Sequence, residues 1–127
     1  MKRTLLFIFL LNLGLMVSSQ SVEEIGRAFG SADVNKIAPF ISETVDMDIC
    51  GKGGVLSRGQ AAMMLEMFFA KNQISSLEIL HSSPFENNKQ HVIGEYIAKQ
   101  GKFTLIYKID RRGDLLFIRQ IRIDKSS

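Results

Sequence analysis

The spacing of hydrophobic positions changes character along this 127-residue chain. Residues 5–17 form an apolar run broken only by Asn12 and Gly14. Helical spacing follows. Ser21 and Glu24 stand at capping-box distance, and Val22, Ile25, Ala28 and Phe29 stripe a short helix that Gly30 stops. Asp33 caps a second helix with Val34, Ile37 and Ala38, which Pro39 ends or kinks. Over 44–50 the pattern alternates, with Val45, Met47 and Ile49 against Thr44, Asp46, Asp48 and Cys50, which predicts a half-buried strand. Residues 51–54 read as a glycine-rich turn. Ser57 and Gln60 then repeat the capping-box spacing and open a helix of roughly four turns. Its Ala61, Met64, Leu65, Phe68 and Phe69 form one wide apolar stripe.

Beyond that helix the chain reads as strand. A strand is predicted over 76–81, a polar loop over 83–90, and further strands over 91–98, 102–110 and 115–124. The last two connections, 99–101 and 111–113, each end in glycine, as in three-residue hairpins with an αL residue in last place. In that register Ile93, Ile97, Phe103, Leu105, Tyr107, Phe117 and Ile121 share the face that the long helix covers. The opposite face holds Tyr96, Ile106 and Ile118 among polar residues and is a candidate dimer surface.

Two charged residues, Glu95 and Arg119, then fall on the apolar face in one row, with Cα atoms roughly 10 Å apart at normal strand spacing. They form a structural ion pair, or a bulge turns Arg119 outward, or they are the polar floor of a cavity walled by Met64, Phe68 and Tyr107, with Arg119 offered to an anionic group.

Composition moves the picture in two ways. Lys2 and Arg3, the apolar run, and small residues ahead of Gln20 have the three parts of a secretory leader, which predicts cleavage after Ser19, export to the periplasm or beyond, and a single domain over 20–127. A retained anchor needs about 20 apolar residues, and the run is shorter. Without the leader the net charge falls from +3 to +1, so little speaks for a nucleic-acid partner. The charge is uneven. Residues 99–127 carry eight Lys or Arg against three Asp, whereas 20–98 carry six basic and ten acidic residues.

Candidate chemistry is sparse. Cys50 is the single cysteine and is expected to be buried as a small apolar group. The glycines of 51–54 lack phosphate-loop spacing. His81 and His91 offer no chelate spacing, so no metal or other cofactor is expected. Met63, Met64 and Met67 read as core filler. No catalytic residue is assigned.

The order helix, helix, strand, long helix and an antiparallel meander of about four strands resembles the α+β cone of the nuclear-transport-factor-2-like fold, also called cystatin-like or SnoaL-like. More narrowly, the leader, residues 45–49, 57–61 with 68–72, Ile93-Gly94 and 118–123 resemble a family of small exported bacterial domains of unknown function, family 4783. The resemblance implies a sheet wrapped around helices, an often hollow interior and frequent dimerisation through the outer sheet face. It carries over no catalytic residue. Three functions compete: a non-catalytic exported module binding a small amphipathic or anionic ligand or a protein partner; an isomerase- or hydratase-like enzyme with Glu95 as base beside Tyr107; and a structural, dimer-forming module using Tyr96, Ile106 and Ile118.

Overall fold

The computed structural model describes residues 21–126, so the leader and its cleavage site lie outside the described residues. Helix α1 (Val22–Gly30) starts where Ser21 accepts the Glu24 amide at 3.2 Å. Helix α2 (Val34–Ile37) starts where Asp33 accepts the Asn35 amide at 3.0 Å, and Pro39 sits in the 3₁₀ turn Ala38–Phe40 that follows. Strands β1 (Ile41–Ile49) and β2 (Lys52–Ser57) form a hairpin, and helix α3 (Arg58–Lys71) follows. Both halves of the α3 capping box are made: Ser57 accepts the Gln60 amide at 3.2 Å and Gln60 accepts the Ser57 amide at 3.0 Å. Strands β3 (Ile74–Ser82), β4 (Lys89–Ala98), β5 (Gly101–Arg112) and β6 (Leu115–Lys125) complete the chain.

The single sheet has six strands in the order β2-β1-β6-β5-β4-β3, rather than one strand and a meander of about four. The meander runs β3 to β6, and β1 joins it parallel to β6. The unexpected strand is β2. Its glycines hid it, because they carry no apolar pattern, yet Gly53 is there for a steric reason. Its φ is +147°, and a Cβ would lie 1.9 Å from the Met47 carbonyl oxygen. Cys50 and Gly51, both at positive φ, make the type I′ turn between the two strands. Cys50 is therefore exposed at a hairpin tip, and the expected burial is corrected.

The helices cover one sheet face. Ala61 and Leu65 of α3 are wholly buried, and the Phe68 ring meets Phe103 edge-on at 5.0 Å. Ile25 and Phe29 of α1 are equally buried, with Phe29 stacked on Tyr107 at 4.4 Å. The stripe on α3 is as expected, but Met63 and Met67 point outward at 65% and 71% exposure and are not core filler.

Register departs from expectation at both hairpins. Ala98 pairs with Gly101 and Arg112 with Leu115, so each connection has two residues, Lys99-Gln100 and Gly113-Asp114. A one-residue change inverts a strand. On β4 the inward residues are Val92, Gly94 and Tyr96, while Ile93, Glu95 and Ile97 face away. On β6 a bulge intervenes: Ile109 pairs with Ile118 but Lys108 with Gln120, which leaves Arg119 as the extra residue. Ile118 and Ile121 thus both point into the core, and Phe117 does not.

Candidate functional site

On α1, Val22, Gly26 and Gly30 recur every fourth residue and so fall on one side of the helix. A glycine inside a helix costs ~0.5–1 kcal/mol relative to alanine. At Gly26 what it leaves is room. A trough of about 690 Å³ runs between α1 and strands β3, β4 and β5. Leu77, Ile79, Val92 and Tyr107 line its sheet side, and Glu23, Arg27 and Ser82 stand at its edges. Gly94 helps to shape the wall, because a Cβ there would come within 3.0 Å of Leu77 Cδ1 and 3.4 Å of Ile79 Cδ1, the side chains lying across it.

Tyr107 is the polar group within this apolar surface. It is 1% exposed, and its hydroxyl lies 3.8 Å from the point where a Gly26 Cβ would stand. That hydroxyl opens on the trough and has no hydrogen-bond partner among the described residues. The neighbouring Tyr96 differs: its hydroxyl donates to the Phe29 carbonyl at 2.7 Å, tying β4 to the end of α1. Burial pushes the Tyr107 phenol up to about 12, so it is a neutral hydrogen-bond donor throughout the physiological range. Burial, with Tyr107 adding to it, moves Tyr96 further in the same direction.

The five residues expected to share one cavity are dispersed. Tyr107 faces the trough. Met64 and Phe68 line a groove of about 360 Å³ where α3 meets the β1–β2 hairpin, beside Cys50, Met67 and Phe103. Arg119 lies in a depression of about 640 Å³ on the other side of the sheet, with Asp46, Lys89, His91, Lys108 and Asp110. The bulge turns it outward, and its Nε is 3.7 Å from the Asp110 carboxylate. Glu95 lines none of these three depressions, and its carboxylate is 3.7 Å from Lys102 Nζ. The shared polar floor of Glu95 and Arg119 is therefore corrected: both are on the uncovered side, each beside a different partner. Two of the three dimer-face candidates are corrected as well, since Tyr96 and Ile118 are wholly buried against the helices. Ile106 stays on the uncovered face, opposite Ile93 on β4 and Arg122 on β6.

The trough is poorly equipped for proton transfer, because its one carboxylate among the described residues, Glu23, is exposed at the rim. Among the described residues no group of three or more His, Cys, Asp or Glu is placed to hold a metal ion. No helix among them is long and apolar enough to cross a membrane.

Residues 22–124 match the family model described as Domain of unknown function (DUF4783). The chain belongs to that family. A DUF4783 protein from Bacteroides ovatus superimposes with a TM-score of 0.78 at 21% identity, covering 87% of this chain and 98% of its own. One from Bacteroides uniformis gives 0.79 at 22% identity, covering 85% and 99%. A domain of unknown function with a cystatin-like fold from Nostoc punctiforme gives 0.64 at 10%, covering 83% and 72%. At these identities the likeness shows the fold alone. No curated protein matches the sequence. For this DUF4783 chain the expected family and the mixed α+β, cystatin-like architecture stand. The trough residues Val22, Gly26, Leu77, Ile79 and Val92 were not expected as a site. The available signal was the four-residue spacing of Gly26 and Gly30, which reads more simply as a weak helix with a stop.

Proposed function

We propose that this protein is an exported, non-catalytic binding domain whose ligand site is the trough between α1 and strands β3 to β5. The observation that carries the reading is the Tyr107 hydroxyl, which opens on an apolar trough and has no hydrogen-bond partner among the described residues. Ligand sites are mostly apolar concavities of roughly 300–1,000 Å³ with a few polar groups placed to orient the ligand, and the trough fits that description. Export rests on the leader pattern of residues 1–19. The enzyme alternative loses its base, because Glu95 lies away from Tyr107 on the other side of the sheet.

A thermal-shift panel of small lipophilic compounds tests the site. A ligand at 100 times its Kd adds about 2.7 kcal/mol of stability, and Gly26→Leu, which obstructs the trough beside Tyr107, abolishes that gain. Equal stabilisation of both proteins would place the ligand elsewhere. Export is tested by the N-terminus of the mature protein recovered outside the cytoplasm, expected at Gln20; recovery only inside the cell with Met1 intact contradicts it. A self-association reading moves to the uncovered face, where Ile93 and Ile106 are cross-strand partners and half-buried Phe117 is nearby on β6. A monomeric mass at high concentration overturns that second reading.

A further inference from the structure

We infer that the trough selects an uncharged lipophilic molecule bearing a carbonyl or similar acceptor, in preference to a fatty acid or other anion. The inference rests on the proposed reading of the trough as the ligand site and adds the chemical class. Tyr107 supplies one neutral O–H, which asks for an acceptor within reach of the position under Gly26. Around it stand Val22, Gly26, Gly30, Leu77, Ile79 and Val92, none of which offers a side-chain polar group, and the Ser82 hydroxyl is exposed at the edge.

The charged side chains lining the trough are Glu23 and Arg27, both exposed, of opposite sign and one helical turn apart. They leave no net positive charge at the mouth, and neither is buried beside the phenol. A carboxylate brought to Tyr107 would lose its hydration for one hydrogen bond from a neutral donor, without a buried cation to compensate it. A ketone, ester or amide oxygen has far less hydration to lose and gains the same bond. A pure hydrocarbon matches the walls but leaves the phenol unpaired. The basic residues of the molecule do not alter this balance, because Lys89, Lys108 and Arg119 lie in the separate depression across the sheet.

Three probes separate the possibilities: 4-butylacetophenone, its near-isostere 4-butylbenzoate and the smaller butylbenzene, titrated into the protein and followed by amide chemical shifts of Gly26, Gly30 and Leu77. The ketone is expected to bind tightest. Tyr107→Phe is expected to weaken the ketone roughly threefold to tenfold, the worth of one neutral hydrogen bond, and to leave butylbenzene within about twofold. This variant removes no hydrogen bond among the described residues and keeps the ring on Phe29; a well-dispersed spectrum confirms that it is folded. Gly26→Leu, as a second variant, removes binding of all three at these amides. Benzoate binding as tightly as the ketone, or a ketone preference that survives Tyr107→Phe, overturns the ligand class. Butylbenzene bound at the trough with no ketone preference also overturns the class but leaves the trough as the site. If no probe shifts the trough amides, both readings fall.

Discussion

Helices α1 and α3 lie on the same face of one sheet but close it differently. The 14-residue α3 turns Ala61, Leu65 and Phe68 to the strands and closes over Ala61 and Leu65, with a smaller groove of about 360 Å³ at its C-terminal end beside Phe68. The nine-residue α1 buries Ile25 and Phe29 as completely, then presents Val22, Gly26 and Gly30 to the remaining strands. Both bury apolar side chains against the sheet, although α3 also exposes Met63 and Met67. What decides between a sealed seam and an open one is the size of the side chain on the adjoining turn. A ring at Phe68 closes edge-on against Phe103, whereas a hydrogen atom at Gly26 leaves Tyr107 facing a trough.

The contrast can be broken most severely at the sealed seam. Leu65→Ala, at a site with no exposure, is expected to cost ~2–5 kcal/mol in chemical denaturation, because the surrounding residues cannot collapse into the void. A loss under ~1 kcal/mol would mean that α3 is not sealed.

The two tyrosines sharpen the comparison. Tyr96→Phe removes one bond from the Phe29 carbonyl, which keeps the Ala32 amide at 3.1 Å, and is expected to cost ~0.5–1.5 kcal/mol. Tyr107→Phe breaks no hydrogen bond among the described residues and is expected to shift stability by less than ~0.5 kcal/mol. Equal losses would show that Tyr107 has a partner after all.

Alkali distinguishes them from ordinary surface tyrosines. Both phenols are held neutral by burial, so the folded chain keeps protons that the unfolded chain releases near pH 10. The stability that this contributes is complete below pH 10 and is lost as pH rises from there through about 12 for Tyr107. These are the only two tyrosines in the chain, so absorbance at the tyrosinate band should stay flat past pH 10 and rise only as the fold opens. An ordinary titration centred near pH 10 with the fold intact would contradict their burial.

The smallest effect is the most diagnostic of the open seam. Gly26→Ala meets nothing closer than 3.8 Å and should stabilise α1 by ~0.5–1 kcal/mol while narrowing the trough. A more stable protein with weaker ligand binding is the expected pairing. A gain in stability without loss of binding would detach the glycine from function.

The parts legible in the sequence were those governed by neighbours. Caps at Ser21, Asp33 and Ser57 act over two or three residues, and each was found in place. The α3 stripe needed only helical period. Inward placement on β5 was also correct, because Phe103, Leu105 and Tyr107 alternate without interruption. Failure came where a turn had to set the phase of the next strand. Gly101 and Gly113 suggested three-residue loops, but Gly101 is a paired strand residue and Gly113 begins a two-residue turn. That one step carried Tyr96 from solvent to core and Glu95 the other way. The candidate site was legible only at Tyr107, because a groove made by missing side chains leaves no apolar pattern to read.

The bulge in β6 also bears on which codons the gene can lose. In a regular core strand, a single-codon deletion inverts every side chain beyond it. Arg119 already sits out of phase: Leu116 and Ile118 precede it on the core side, and Ile121 and Ile123 resume on that same side after it. Removing Arg119 leaves strict alternation from Leu116 to Ile123. A deletion there would straighten the strand without turning the core inside out, whereas the same deletion in β5 would reverse Tyr107 relative to Phe29.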